Sequence, residues 1–158
     1  MKEKLRCYIV SIAIPLAVGG FSALFTRGGM ELYAGISKPP LSPPGIVFPI
    51  VWTVLYVLMG IGMALVYMKR DDEPDTVRSA VFVFGLQLAA NFFWSIIFFN
   101  MQAYLFAFIW LLLLLALVIW MTLLFRRVSR TAAYIQLPYI IWVIFAGYLT
   151  LMVSILNK

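Results

Sequence analysis

Four long stretches without any Asp, Glu, Lys or Arg constrain this chain more than any other feature. They cover residues 7–26, 39–68, 79–125 and 131–157. A helix needs about 20 apolar residues to cross the hydrocarbon core of a bilayer, and every stretch reaches that length. Hydrophobic residues make up 65% of the chain and charged residues only 11%, against about 25% charged in soluble domains. The sequence therefore predicts an integral membrane protein.

The third stretch is too long for one crossing of a membrane. At about 1.5 Å per residue, a helix over 79–125 would be roughly 70 Å long, more than twice the thickness of the hydrocarbon core. The polar step Asn100-Met101-Gln102 is where we expect this stretch to turn back. The prediction is thus an all-α integral membrane protein, one domain over residues 1–158, built as a five-transmembrane-helix bundle. Its helices are expected at about 6–26, 45–69, 78–99, 103–126 and 131–156.

Lysine and arginine are distributed unequally between the two ends of these helices. One side of the membrane would hold three of them, Arg27, Lys38 and Lys158. The other would hold the remaining nine, at positions 2, 4, 6, 69, 70, 78, 126, 127 and 130. Because cytoplasmic loops carry the excess of basic residues, we predict a multi-pass protein of the cell membrane with a cytoplasmic N-terminus and an extracytoplasmic C-terminus. Basic residues at helix ends explain the net charge of +6, so no nucleic-acid partner is expected.

The residue types that are missing or rare exclude several classes of chemistry. The chain has no His and a single cysteine, Cys7, so a His-based catalytic centre and an internal disulfide are both excluded. No charged side chain lies deep within a predicted helix, although ion-coupled transporters usually need one. We therefore expect neither a metal site nor a bound cofactor, and no conventional acid–base catalyst.

The third predicted helix separates polar residues from small ones. Gln87, Asn91 and Trp94 share one face at 100° per residue, and Gly85 and Ala89 lie on the opposite face. Because amide side chains remain unsatisfied in lipid, the polar face should point into the bundle. There its amides would either bridge neighbouring helices or bind a ligand, and the sequence leaves both readings open. The small-residue face is free for lipid or for a second copy of the chain, which makes a homodimer the expected assembly.

Aromatic residues on the second and fifth predicted helices form matching faces. Trp52 and Tyr56 are one helical turn apart, and Tyr139, Trp142 and Ala146 also share a helical face. The small Ala146 leaves a gap beside the large rings. Aromatic walls around a void with a few amides suit a flat, apolar and polarizable ligand. We therefore expect these residues to line a binding pocket.

The segment between the first two helices, residues 27–44, contains four prolines and three glycines. This composition predicts neither helix nor strand. A structureless connection of this length is uncommon unless it is functional or disordered. Tyr33, Ile36 and Leu41 argue against disorder, because they are apolar side chains that can pack. We predict an ordered lid over one mouth of the bundle.

Several short motifs occur in order along the chain and together match a known family. They are Pro15 with Gly19-Gly20, Lys38-Pro39-Pro40, Pro43-Pro44-Gly45, Trp52-Thr53 with Leu55-Tyr56, Gln87-Leu88 with Asn91 and Trp94-Ser95, and Pro138-Tyr139 with Trp142-Val143. On these residues the chain resembles the TspO/MBR family, the tryptophan-rich sensory proteins related to the mitochondrial translocator protein. The resemblance implies a five-helix bundle with a ligand cleft under the first loop. The implied ligands are porphyrins such as protoporphyrin IX, sterols and benzodiazepine-type compounds.

The resemblance also assigns ligand contacts to individual residues. They are Tyr33 in the lid, Trp52, Asn91, Trp94, Trp142 and Ala146. Protoporphyrin carries two propionates, and Arg27 and Lys38 are the only cations expected near the mouth of the cleft. Leu32 and Leu41 depart from the family, which often has Trp at those positions. The basic residue that a cholesterol pattern requires soon after Tyr148 is missing, which counts against sterol-like ligands.

These features leave more than one function open. The leading prediction is a receptor-like membrane protein that binds tetrapyrroles. Some bacterial members of the family are reported to degrade protoporphyrin in light. For that reaction Trp52 and Trp142 are the candidate catalytic residues, as oxidisable indoles against the bound ring. A transporter of porphyrins or lipids, and a structural partner in a membrane complex, are the alternatives.

Overall fold

Seven α-helices and one π-helical turn make up most of the computed structural model, which describes residues 1–158. The helices are α1 (Lys2–Phe25), α2 (Arg27–Ala34), α3 (Val47–Tyr67), α4 (Pro74–Ser95), α5 (Tyr104–Val128), α6 (Arg130–Tyr134) and α7 (Leu137–Leu156), and the π-helical turn (Ile96–Asn100) continues α4. Five segments are long and apolar enough to cross a membrane: α1, α3, α4 with the π-helical turn, α5, and α6 with α7. The predicted all-α architecture with five membrane-spanning segments is confirmed.

The chain turns back between α4 and α5, directly after the π-helical turn. Gln102 adopts a left-handed backbone conformation there, with φ of 51°. The side chain of Asn100 donates a hydrogen bond from Nδ2 to the carbonyl oxygen of Phe25 at 2.8 Å, which ties this turn to the end of α1. The turn predicted at Asn100-Met101-Gln102 is therefore confirmed.

Two predicted helix starts are wrong by about one turn. The first helix begins at Lys2 rather than at residue 6, because lysine and glutamate are themselves good helix formers. The third begins at Pro74 rather than at residue 78, because proline suits the first turn of a helix, where its missing N–H has no partner to lose. Both helices therefore extend beyond the uncharged stretches from which their starts were predicted.

The fifth membrane segment is interrupted, whereas the sequence predicted one helix over 131–156. Ile135 and Gln136 separate α6 from α7. Pro138 lies in the first turn of α7, so it begins a helix, since proline cannot donate a hydrogen bond to a preceding turn. Gln136 is fully buried in the interruption, and its Nε2 donates to the carbonyl oxygen of Leu58 at 3.2 Å. This bond joins the interruption to α3.

The lid contains a helix, which corrects the prediction that residues 27–44 form neither helix nor strand. Its first eight residues form α2, which packs on the π-helical turn. This close packing depends on Gly29, because a Cβ there would meet the carbonyl group of Phe99. The four prolines all follow α2. The prolines therefore exclude helix only from the second half of the lid. The prediction was wrong for the first half because it used the composition of the whole segment.

The helices pack unevenly, and this arrangement places a gap beneath the lid. α1 packs closely against α3, and α5 packs between α4 and α7. Gly60 permits the α1–α3 contact, because a Cβ there would meet the backbone of Ile12. α3 meets α6 at the end opposite the lid, but the backbones of α3 and α7 scarcely approach each other. Large side chains occupy the space between α3 and α7.

Candidate functional site

Aromatic side chains fill the gap between α3 and α7. The rings of Trp52 and Tyr139 meet edge to face with their centroids 6.2 Å apart. The rings of Phe48 and Trp142 meet in the same way at 6.0 Å. The partner of Tyr139 is Trp52, and the partner of Trp142, one turn later on α7, is Phe48, one turn earlier on α3. The two helices are therefore antiparallel, and these pairs form successive layers. The aromatic faces predicted on the second and fifth membrane segments therefore do face each other.

Trp52 is at the centre of the larger group of rings. Its ring centroid lies 5.6 Å from that of Tyr56, in a stacked arrangement, and 6.5 Å from that of Trp94 on α4. Trp94 in turn stacks on Phe98 at 5.3 Å, and the ring of Phe98 lies 5.5 Å from that of Tyr33 in the lid. We call this group the Trp52 cluster; its members are Tyr33, Trp52, Tyr56, Trp94, Phe98 and Tyr139. It connects the lid to the middle of the bundle.

A buried chain of hydrogen bonds lies beside the Trp52 cluster. Tyr139 donates its hydroxyl to Oε1 of Gln87 at 2.7 Å, and Nδ2 of Asn91 donates to the same hydroxyl oxygen at 3.1 Å. Nε2 of Gln87 lies 3.7 Å from Sδ of Met59, a weak acceptor. All four side chains are at most 1% exposed. The sequence left open whether Gln87 and Asn91 bridge helices or bind a ligand. In the structure their contacts join α3, α4 and α7, so they bridge helices.

The opposite face of α4 is open. Gly85 and Ala89 are exposed, and a Cβ on Gly85 would meet nothing within 4 Å. Gln87, Asn91 and Trp94 are buried. The predicted orientation of this helix is therefore confirmed, with the polar face inside the bundle and the small residues on its outer surface.

Trp142 belongs to a second group of rings, one turn nearer the lid than Trp52. Its ring packs against those of Phe48 and Phe145, the latter at 5.5 Å. Ala146 is buried one turn further along α7. The two tryptophans that are predicted as redox partners of a ligand thus lie on opposite sides of the gap, Trp52 on α3 and Trp142 on α7, and in successive layers.

Two tryptophan N–H groups in this region have no acceptor. The Nε1 atoms of Trp94 and Trp142 are both buried and make no hydrogen bond within the protein. A buried donor without a partner costs roughly 1–3 kcal/mol. A carboxylate or carbonyl oxygen on a bound molecule would remove that cost. Both donors are therefore available to an added hydrogen-bond acceptor in this region.

Hydrogen bonds that could not be foreseen from the sequence join the lid to α7. The backbone N–H of Ser37 donates to Oδ1 of Asn157 at 3.0 Å, and Nδ2 of Asn157 donates to the carbonyl oxygen of Ser37 at 2.8 Å. Tyr148 donates its hydroxyl to the carbonyl oxygen of Pro40 at 2.9 Å. No local pattern marks these residues, because their partners are more than 100 positions away along the chain.

The two cations predicted at the mouth of the cleft lie at opposite ends of α2. Nζ of Lys38 is 5.1 Å from the centroid of the Tyr33 ring, and it donates to the carbonyl oxygen of Ala34 at 3.4 Å. Arg27 begins α2, and the eight residues of this helix extend about 12 Å. Both cations are exposed. Burial raises the pKa of the Tyr33 hydroxyl and the neighbouring Tyr104 adds to this shift, so Tyr33 is neutral beneath the ammonium group at physiological pH.

The site combines flat aromatic walls, buried amides and indole N–H donors. Such walls can bind and orient a planar molecule, and indoles can exchange electrons with it. No group of three or more His, Cys, Asp or Glu that could hold a metal ion is present in the structure.

Comparison with known proteins identifies relatives along nearly the whole chain. The TspO/MBR family pattern matches residues 11–156. The tryptophan-rich protein TspO of Chlorobaculum tepidum is 34% identical over 158 residues, which cover 99% of each chain. The translocator protein of Bos taurus is 36% identical over 138 residues, 84% of this chain and 80% of its own. Protein CrtK of Rhodobacter capsulatus is 33% identical over 150 residues, 95% of this chain and 90% of its own. This multi-pass membrane protein therefore belongs to the TspO/MBR family.

Proposed function

We propose that this protein binds protoporphyrin IX or a related tetrapyrrole in a cleft between α3, α4 and α7, beneath the lid. The observation that carries the proposal is the pair of buried N–H groups on Trp94 and Trp142, which have no acceptor and lie among packed rings. A porphyrin is flat and apolar, so it stacks on such rings. Its carboxylates and unprotonated ring nitrogens are acceptors for these donors.

We expect a ligand to enter the gap between α3 and α7 by displacing side chains. Side chains, and not backbone contacts, hold these two helices apart. Trp52 and Trp142 are both half-buried, whereas Tyr139 is fixed by two hydrogen bonds. We expect the two indoles to rotate when a ligand enters, and Tyr139 to remain as the floor of the site.

The cations of the lid adjust the affinity of an acidic ligand. Arg27 and Lys38 are both exposed, so the guanidinium group of Arg27 and the ammonium group of Lys38 can meet the propionates of a porphyrin below. Exposed ion pairs contribute up to roughly 1 kcal/mol each and are screened by salt. Affinity for protoporphyrin should therefore decline modestly as the ionic strength rises, and that for an uncharged ligand hardly at all.

Light-driven breakdown of the bound pigment is a second candidate function. The observation that favours it is the position of Trp52, an oxidisable indole that contacts both Trp94 and Tyr139 at the proposed site. Trp52→Phe keeps a ring but removes the indole. If the protein takes part in the chemistry, this variant should bind protoporphyrin almost normally and lose most of the light-driven conversion. Conversion at the normal rate in both Trp52→Phe and Trp142→Phe would leave the protein a binder only.

A titration of the purified protein with protoporphyrin IX in the dark tests the binding proposal. Trp94→Phe removes one N–H donor and keeps the ring, so the affinity should fall about fivefold, which corresponds to a hydrogen bond of about 1 kcal/mol. Trp120→Phe is the matched control, because Trp120 is 49% exposed on α5 and lies outside the site. Identical affinities of the wild type and both variants would contradict the assignment of the site.

A further inference from the structure

A cavity lies at the end of the bundle opposite the lid, between α1, α3 and α4. Its volume is about 660 Å³, which is typical of small-molecule sites of about 300–1,000 Å³. Cys7 of α1 and Tyr67 of α3 form part of its wall, and the guanidinium of Arg70 lies 4.9 Å from the centroid of the Tyr67 ring. No member of the Trp52 cluster lines this cavity, so it is separate from the site already described.

The wall of this cavity changes from charged to apolar along the helices. The charged residues form its rim: Glu3, Lys4, Arg6, Arg70 and Asp71. The apolar residues include Val10, Ile14, Met63, Val81 and Phe84. From Arg6 to Ile14 the wall extends about 12 Å along α1. A charged rim above an elongated apolar wall matches an amphiphile with a polar headgroup and an acyl chain.

The cavity also opens toward the outside of the bundle. Val10 and Ile14 on α1 and Val81 on α4 are exposed residues that line it. In a bilayer, these side chains face the acyl chains of lipids. A lipid molecule can therefore enter from the membrane, between α1 and α4, while its headgroup stays at the rim.

The rim carries charges of both signs. Lys4, Arg6 and Arg70 supply three positive charges, and Glu3 and Asp71 supply two negative charges. A phosphate binds well to such cations, arginine above all. The two carboxylates, Glu3 and Asp71, are exposed and can accept hydrogen bonds from an amine. A headgroup that contains both a phosphate and an amine therefore complements charges of both signs at this rim.

We propose that this cavity binds one molecule of an aminophospholipid, phosphatidylethanolamine. Its phosphate contacts Arg6 and Arg70, its ammonium group contacts Glu3 or Asp71, and one acyl chain lies along the apolar wall. Phosphatidylglycerol has no amine to donate to either carboxylate. The quaternary amine of phosphatidylcholine has no N–H to donate to them. The rim therefore selects a primary amine, independently of any ligand at the Trp52 cluster.

Cys7 reports directly on the occupancy of this cavity, because it is the only cysteine and is half-buried in the wall. The rate of its alkylation by N-ethylmaleimide would be measured on the delipidated full-length protein in detergent, with phosphatidylethanolamine, phosphatidylglycerol or phosphatidylcholine of the same acyl chains. Phosphatidylethanolamine should slow alkylation about tenfold at a concentration roughly ten times its Kd, and the other two lipids should slow it less. Equal or stronger protection by another lipid would overturn the headgroup assignment, and no protection by any lipid would overturn the site.

Substitutions at the rim divide the proposal into its two parts. Glu3→Gln combined with Asp71→Asn should abolish the preference for phosphatidylethanolamine over phosphatidylglycerol while both lipids still protect Cys7. Arg6→Gln combined with Arg70→Gln should abolish protection by both lipids. A preference that survives the first pair, or protection that survives the second, would overturn the role given to those charges.

Two controls separate the cavity from general effects of detergent and charge. Arg126→Gln combined with Arg130→Gln removes two arginines from a smaller groove of about 280 Å³ at the same end of the bundle, and it should leave the protection of Cys7 unchanged. Cys7→Ser combined with Ser79→Cys moves the thiol to an exposed position on α4 outside the cavity, where no lipid should slow alkylation. A different result would be protection of Cys7 that rises with protein concentration and is the same with and without lipid. That result would mean that a second copy of the chain covers the opening, and it would overturn the proposal.

Discussion

Asn157, the residue that follows α7, holds Ser37 of the lid through both backbone groups of that serine. The two residues are 120 positions apart in the chain. Tyr148 of the same helix adds a bond to Pro40. The lid is therefore attached on one side to the π-helical turn, through α2, and on the other side to α7.

Loss of the Asn157 contact should loosen the second half of the lid. Asn157→Ala removes two hydrogen bonds to the backbone of Ser37, each worth about 0.5–1.5 kcal/mol. Amide protons near Ser37 should then exchange with solvent about tenfold faster, while those of α3 stay unchanged. Hydrogen–deuterium exchange read by mass spectrometry measures this. Ser154→Ala on the same helix is the control, and an unchanged rate in Asn157→Ala would show that other contacts hold the lid.

Neighbouring glycines of α2 should respond differently to alanine. A Cβ at Gly29 would meet the carbonyl group of Phe99, whereas a Cβ at Gly28 would meet nothing within 4 Å. We expect Gly29→Ala to destabilise the protein by about 1–3 kcal/mol through overpacking. Gly28→Ala should leave stability equal or slightly higher, because alanine favours helix. Thermal unfolding of both variants in one detergent compares them, and equal melting temperatures would contradict the close packing of α2.

The number and position of the membrane-spanning segments could be predicted because they depend on local properties of the chain. The length of each uncharged stretch sets where a helix can cross the bilayer, and the polar step at Asn100 sets where the longest stretch turns. The inward face of α4 was also predictable, since Gln87 and Asn91 would lack hydrogen-bond partners in lipid.

Features that depend on contacts between distant residues could not be predicted in this way. Glycine is typical of loops, but Gly29 lies in a helix and packs against the carbonyl group of Phe99. The contact of Gln136 in the interrupted last segment is one of these features, because its amide donates to the carbonyl oxygen of Leu58, 78 positions away. The lack of an acceptor for the N–H of Trp94 likewise depends on the positions of all the surrounding atoms, which the sequence does not provide.

We propose that the N-terminus is cytoplasmic, because nine of the twelve basic residues lie on that side of the bundle. Single-cysteine proteins made in a Cys7→Ser background test this orientation in intact cells. A cysteine added after Lys158 should react with a membrane-impermeant maleimide. Ser129→Cys, between α5 and α6, should react only after the cells are lysed. The reverse pattern would contradict the orientation.

The exposed small residues of α4 are the proposed contact of a homodimer. Gly85 and Ala89 lie on the outer surface, where two helices can approach closely. Gly85→Leu combined with Ala89→Leu should shift a detergent-solubilised dimer to monomer, with ligand affinity near normal. Light scattering during size-exclusion chromatography measures the mass. A dimer that persists while ligand affinity is lost would mean that this face belongs to the binding site.

The central claim, that a tetrapyrrole binds between α3, α4 and α7, is tested most directly by protoporphyrin binding to Ala146→Leu. Ala146 is buried on α7 next to the turn that carries Trp142. A leucine there would overfill the site at a cost of about 1–3 kcal/mol, so the affinity should fall about tenfold to a hundredfold. Ala116→Leu, on the exposed face of α5, is the matched control. Absorbance titrations in the dark should give one affinity for the wild type and the Ala116 variant and a much weaker one for the Ala146 variant. Equal affinities in three folded proteins would contradict the claim.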